Sequence, residues 1–149
     1  LKKTMSARDH LEKIAEMFAD APRQVRLQAL LDYSRRLPDL PPRLQNDPDL
    51  LVDVPECQTP FSLRVEAENG GVRIYFEVPA EAPTVRGYAG ILHDALDGAS
   101  REEILEVPND FYQYMGLQEA VSSQRLRGMG AILARLKAEV EALEGRGLD

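Results

Sequence analysis

Few side chains in this sequence can act as nucleophiles or soft ligands: one cysteine, Cys57, and two histidines, His10 and His93. That set falls short of any usual zinc constellation, and a lone cysteine forms no internal disulfide. Cys57 lies in Val54-Pro55-Glu56-Cys57-Gln58-Thr59-Pro60, a polar stretch with proline on both sides. A structural cysteine is expected within a hydrophobic periodic segment, whereas flanking prolines limit the conformations a loop gives up to present a thiol. The thiolate is the reactive form, and the neighbouring Glu56 opposes it by raising the thiol pKa. The residues alone leave two readings open, a reactive loop thiol and a small buried hydrophobe. Between kinds of reactive thiol, the electrostatics fit one that a partner activates better than a self-sufficient catalyst.

Other candidates carry less. His93-Asp94 sits mid-helix with no G-x-S-x-G elbow to serve, so His93 reads as an ordinary helix residue. Gly128-Met129-Gly130 lacks the rest of a dinucleotide loop and lies inside a helical pattern. Two glycines there cost about 1 kcal/mol each relative to Ala, which points to close approach of another backbone. The net charge of −7 excludes a nucleic-acid partner, which demands clustered Lys and Arg. From Asp39 to Glu81, nine carboxylates face three arginines, a local charge of −6, which suits a basic protein partner. No apolar run is long enough to span a bilayer, and no secretory signal opens the chain, so the expected setting is cytoplasmic. Residues 1–7 are expected to be a flexible or appended tail, with Met5 a candidate natural start.

The elements that must position Cys57 follow from patterning. Six of the ten prolines fall between Pro38 and Pro60, which predicts a long, partly rigid surface loop with one helical turn near residues 49–52. Beyond it, Phe61, Leu63 and Val65 alternate with polar residues, Asn69-Gly70-Gly71 supplies a turn, and Val72, Ile74, Phe76 and Val78 alternate again. That is a β-hairpin with one buried face, and it holds the cysteine loop at its start.

Helices flank the hairpin. Ser6 with Asp9 caps a first helix with the stripe Leu11, Ile14, Ala15 and Phe18. Pro22 is expected at the first position of a second helix, whose buried side would be Val25, Leu27, Leu30, Leu31 and Leu37, packed antiparallel on the first. After Pro79 a stripe from Val85 to Leu96 ends at Asp97-Gly98, and Ser100 with Glu103 forms a capping box. Pro108 opens a short segment, and Ser122 or Ser123 caps a last helix whose stripe runs from Leu126 to Leu143. The chain, about the length of one domain, is expected to be a single α+β domain, a small antiparallel sheet packed against several helices.

The stretch around Cys57 resembles the cysteine loop of SufE-like proteins, where the thiol is followed by Gln and a small hydroxyl residue. The resemblance continues through the hairpin and Glu81-Ala82-Pro83-Thr84-Val85-Arg86-Gly87, and closes on Leu117 and Ser122-Ser123-Gln124-Arg125-Leu126-Arg127-Gly128-Met129. It spans roughly residues 8–142, far more than a lone motif. Glu56 departs from the Gly of many relatives, and Thr59 from their Ser. The resemblance implies a fold like that of IscU-type scaffolds. It implies a persulfide carrier that works with a pyridoxal-phosphate-dependent, SufS-like cysteine desulfurase rather than an independent enzyme. Cys57 would accept sulfur, stimulate the desulfurase and relay the sulfur to an iron–sulfur scaffold, with no cofactor or metal of its own. By the same resemblance Arg125 would stabilise a thiolate or persulfide, and Glu56, Gln58, Thr59, Glu81, Arg86 and Gly87 would support the loop or touch the partner. The alternative is a non-catalytic interaction or scaffold module of the same fold, with a structural cysteine.

Overall fold

A computed structural model describes residues 6–144. The chain runs through helix α1 (Ala7–Asp20), helix α2 (Arg23–Arg36), a one-turn helix α3 (Pro42–Gln45), strands β1 (Val52–Asp53), β2 (Ser62–Glu68) and β3 (Gly71–Glu77), then helices α4 (Pro83–Leu96), α5 (Arg101–Leu105) and α6 (Ser123–Glu144). Short 3-10 turns lie at Pro48–Leu50, Phe111–Met115 and Leu117–Glu119. The strands form one antiparallel sheet in the order β1-β2-β3. This is the expected α+β domain, with one strand more than the hairpin.

Alternation fixes the sheet's two faces. Leu63, Val65, Ile74 and Phe76 are buried, with α6 against β2 and α4 against β3. Asn69 and Gly70, both at positive φ, make the two-residue turn that sets the β2–β3 register, pairing Glu68 with Gly71. The outward face is polar and laced with ion pairs. Glu66 lies between Arg43 (2.6 Å) and Arg64 (2.6 Å), which hold its carboxyl down at about 2, and Arg73 bridges Glu68 (3.0 Å) and Asp97 (3.1 Å).

The proline-rich segment contains no long element, as its composition requires. Its helical turn falls at residues 48–50, slightly before the expected place, and the chain then pairs with β2 as an edge strand. A two-residue strand leaves too short a pattern to be read in advance. The remaining helices keep their expected caps: Ser6 accepts from the Asp9 amide, Ser100 and Glu103 cap each other's backbone, and Ser122 accepts from the Arg125 amide. Of the tail expected over residues 1–7, residues 1–5 lie outside the described residues. Ser6 and Ala7 are no tail, since Ser6 is the N-cap of α1 and Ala7 is buried.

Helix α2 departs from expectation. Pro22 is its N-cap rather than its first helical residue, and Val25 is exposed. The buried positions are Arg26, Leu30, Tyr33 and Ser34, and the main partner is α4, not α1, which instead rests on α4 and the Phe111–Met115 turn. The reason lies in α4. A Cβ on Gly87 or Gly90 would fall well inside van der Waals contact of the Leu30 or Tyr33 carbonyl oxygen, so the helices meet backbone to backbone. Arg26 is buried because its guanidinium donates to the carbonyls of Phe18 (2.8 Å), Ala19 (2.9 Å) and Gly116 (2.9 Å) and to Glu119 (2.9 Å). It ties the end of α1 to the segment that leads into α6.

Gly90→Ala should destabilise the fold by about 3 kcal/mol in urea denaturation, despite the better helix propensity of Ala, because a methyl group cannot fit against the Tyr33 carbonyl.

Candidate functional site around Cys57

Cys57 stands near the tip of the loop that joins β1 to β2. At the loop's root the Val54 amide donates to the Phe61 carbonyl (2.8 Å), which carries the β1–β2 pairing one step further, and both side chains are buried. Inside this closure the Cys57 amide donates to the Val54 carbonyl (3.2 Å), a tight turn over Pro55-Glu56. The cysteine loop is therefore a hairpin loop on a sheet edge, with Pro55 inside the turn and Pro60 next to the closure at Phe61.

The thiol points at α6. Cys57 Sγ donates to the carbonyl oxygen of Gly128 at 3.6 Å, a weak hydrogen bond that exists only for the protonated sulfur. Gly128 has no side chain to keep the sulfur away: a Cβ there would stand 3.2 Å from Sγ. Close approach was expected at Gly128 and Gly130 alike. At Gly128 the neighbour is the cysteine itself, whereas at Gly130 a Cβ would meet only ordinary contacts with Tyr112 (3.7 Å) and Asn109 (3.8 Å). Burial pushes the half-buried thiol up to about 11, and the Glu56 carboxylate adds to the same rise. At neutral pH Cys57 is thus protonated and chemically quiet in this conformation.

A concavity of about 470 Å³ opens beside the loop, between residues 53–62 and the end of β3 at Glu77 and Pro79. Asp53, Ser62 and Glu77 stand opposite one another in register across the three strands and so share a face. Asp53 and Glu77 make an acidic rim on the concavity, Glu56 adds a third exposed carboxylate on the loop next to Cys57, and none of the three forms an ion pair among the described residues. Gln58 and Thr59 line the same concavity.

The other expected site residues separate into two groups. Arg125 is exposed in the first turn of α6, one turn before Gly128 and on the same side of the helix, and its guanidinium forms no hydrogen bond or ion pair with the described residues. Glu81 is exposed in the turn before α4 and does not line the concavity. Arg86 donates to the carbonyls of Val78 (2.6 Å), Ser34 (3.0 Å) and Leu37 (3.4 Å), and Gly87 packs on Leu30. Those two residues join α2, α4 and the end of β3 and make no contact with the cysteine loop. Neither the Gly128 carbonyl nor the Asp53–Glu77 row was expected from the sequence. The glycine pair in a long helix was a signal for the first, while the second needed the register of an unforeseen strand.

Among the described residues no group of three or more His, Cys, Asp or Glu side chains is placed to hold a metal ion, and no helix is long and apolar enough to cross a membrane. A profile of the SufE family, described as an Fe-S metabolism associated domain, matches residues 12–140. Two uncharacterized SufE-like proteins of Mycobacterium tuberculosis are 44% identical over 128 residues, which cover 85% of this chain and 88% of each of theirs. A third, from Synechocystis, is 24% identical over 136 residues, 91% of this chain and 82% of its own. The solution structure of a hypothetical protein from Thermus thermophilus is similar with a TM-score of 0.79 and 44% identity, over 89% of this chain and 94% of that one.

The geometry of the thiol predicts its titration. Alkylation of the free protein by iodoacetamide should rise with pH toward an inflection near 11, above the ordinary thiol value, and Glu56→Gln should move the inflection down. Because the folded state holds this proton more tightly than the unfolded chain, stability should fall as pH climbs from the ordinary thiol range toward 11, and Cys57→Ser should abolish that part of the loss.

Proposed function

The chain belongs to the SufE family, and on that premise we propose that it is a cytoplasmic sulfur acceptor, in which Cys57 takes the outer sulfur of a persulfide held by a pyridoxal-phosphate cysteine desulfurase and relays it to an iron–sulfur scaffold. The observation that carries this reading is the placement of the only cysteine near the tip of a braced hairpin loop, beside an open concavity. A braced loop of this kind can enter a partner's active site without the sheet behind it moving.

The transfer is an exchange at sulfur. The Cys57 thiolate attacks the terminal sulfur of the donor persulfide, a new S–S bond forms on Cys57, the donor S–S bond breaks, and the donor cysteine leaves as its thiolate. The terminal proton travels with the transferred sulfur, so no oxidant or reductant is consumed. Clearing the donor cysteine frees the desulfurase for another turnover, which is how an acceptor stimulates it. The step requires that Cys57 leave the Gly128 carbonyl and lose its proton. Arg125, one turn earlier on the same side of α6 and free of other partners among the described residues, would supply the cation that meets the thiolate or persulfide once the loop swings. Asp53, Glu56 and Glu77, unneutralised by the protein's own arginines, form a face for a cationic patch on the desulfurase.

A half-buried thiol bonded to a carbonyl also suits a structural cysteine in an interaction module, and one experiment separates the two readings. Incubation with an active cognate desulfurase and cysteine, without reductant, should add sulfur to the intact mass, at Cys57 and not in Cys57→Ala. Arg125→Ala should slow that gain about tenfold, with Arg125→Lys in between. An unmodified mass, with Cys57→Ala stimulating the desulfurase as well as the natural protein, would leave the interaction module standing.

The acidic rim has its own measurement. Desulfurase binding should weaken as salt is raised, and Asp53→Lys with Glu56→Lys should weaken it further and flatten the salt dependence; affinity unchanged by both would remove the rim from the interface.

A further inference from the structure

The contact between Cys57 and α6 is built from both sides. Gly128 is buried in the second turn of a regular helix, where glycine weakens the element it sits in. A Cβ at this position would lie 3.2 Å from Cys57 Sγ, tighter than side chains normally accept, but 3.6 Å and 3.9 Å from Cys57 Cα and Cβ, which is ordinary contact. The vacancy therefore matches the sulfur atom and not the loop backbone. Gly130, two residues on, has room for a methyl group and serves as an internal comparison. Because the Val54–Phe61 hydrogen bond holds the loop's root, a displaced sulfur would leave by moving the tip, not the strands.

We infer that Gly128 is the positioning residue of the acceptor thiol: its missing side chain is the seat of Cys57 Sγ, its carbonyl accepts the S–H, and together they keep the loop shut in the free protein. This deepens the acceptor reading, on which its biological sense rests, yet it concerns the free thiol and needs no desulfurase to be tested. A side chain at 128 tips the balance toward the open loop. It lifts the sulfur off the carbonyl, returns it to water and so brings its titration toward that of an exposed thiol.

The test is the rate of iodoacetamide alkylation of Cys57 between pH 7 and about pH 11.5 in the folded, isolated protein. Gly128→Ala should react about tenfold faster at pH 8, with its inflection lowered by about one unit, while Gly130→Ala keeps the natural rate and profile. A folded Gly128→Ala with the natural rate and profile overturns the inference, whatever the outcome of sulfur transfer. If Gly128→Ala is too unstable to assay, Cys57→Ala decides. A melting temperature for Cys57→Ala/Gly128→Ala at or above that of Cys57→Ala shows that the sulfur was the obstacle, and an equal loss in both backgrounds shows that it was not.

Discussion

The hydrogen bond from the Val54 amide to the Phe61 carbonyl governs more of this molecule than its modest energy would indicate. It closes the cysteine loop at the point where both flanking side chains enter the core, so the loop inherits the rigidity of the sheet. Without it β1 would have only two paired residues, and the loop that carries Cys57 would be closed one residue pair further from the thiol. With it, Pro55 and Pro60 act within a closed ring of backbone, where fixed φ angles restrict the thiol's positions instead of merely breaking helices. The concavity beside Cys57, the row from Asp53 to Glu77 and the approach to α6 all follow from where that closure sets the loop.

Much of this architecture was legible in the sequence because it is written in short periods. Alternation from Phe61 to Val78 marked the hairpin and its buried face, and the stripes at Leu11–Phe18, Val85–Leu96 and Leu126–Leu143 marked three helices with their inward sides. What escaped was set by contacts between distant segments. Of Val25, Leu27, Leu30, Leu31 and Leu37, the apolar side expected of α2, Leu30 and Leu37 are buried and Val25 is exposed, because Gly87 and Gly90 of α4 offer that helix a backbone-to-backbone seat that Leu30 and Tyr33 fill. An arginine is the last residue a periodic pattern places inside, yet Arg26 is buried, because three carbonyls at the ends of other elements converge on it. For the site, the cysteine and its loop could be picked out from chain composition alone. The thiol's partner was legible only in part: the glycines of α6 signalled a close approach, but not that the approaching group is Cys57 itself.

The acidic charge of the middle segment is not a uniform property of its surface. Away from the cysteine, Glu66 and Glu68 on the sheet and Asp97 at the end of α4 are neutralised by the protein itself, Glu66 by Arg43 and Arg64, and Glu68 and Asp97 by Arg73. Around the loop the carboxylates are left bare. Bare carboxylates beside a thiol disfavour the thiolate and repel anions, so the same charges that would attract a cationic protein surface also keep small anionic electrophiles from Cys57. Docking and protection are then two effects of one charge distribution.

The two halves of the thiol's seat lie 71 residues apart in the chain. During synthesis Cys57 therefore leaves the ribosome well before Gly128 exists to receive it, an interval on the order of ten seconds at ordinary elongation rates. Throughout that window the sulfur has no carbonyl to face and no helix to shelter it, and it is most open to cellular oxidants while the chain is still incomplete. Emergence of α6 is what ends the exposure. The reactivity of one sulfur atom thus reports whether α6 has been made and has docked against the cysteine loop.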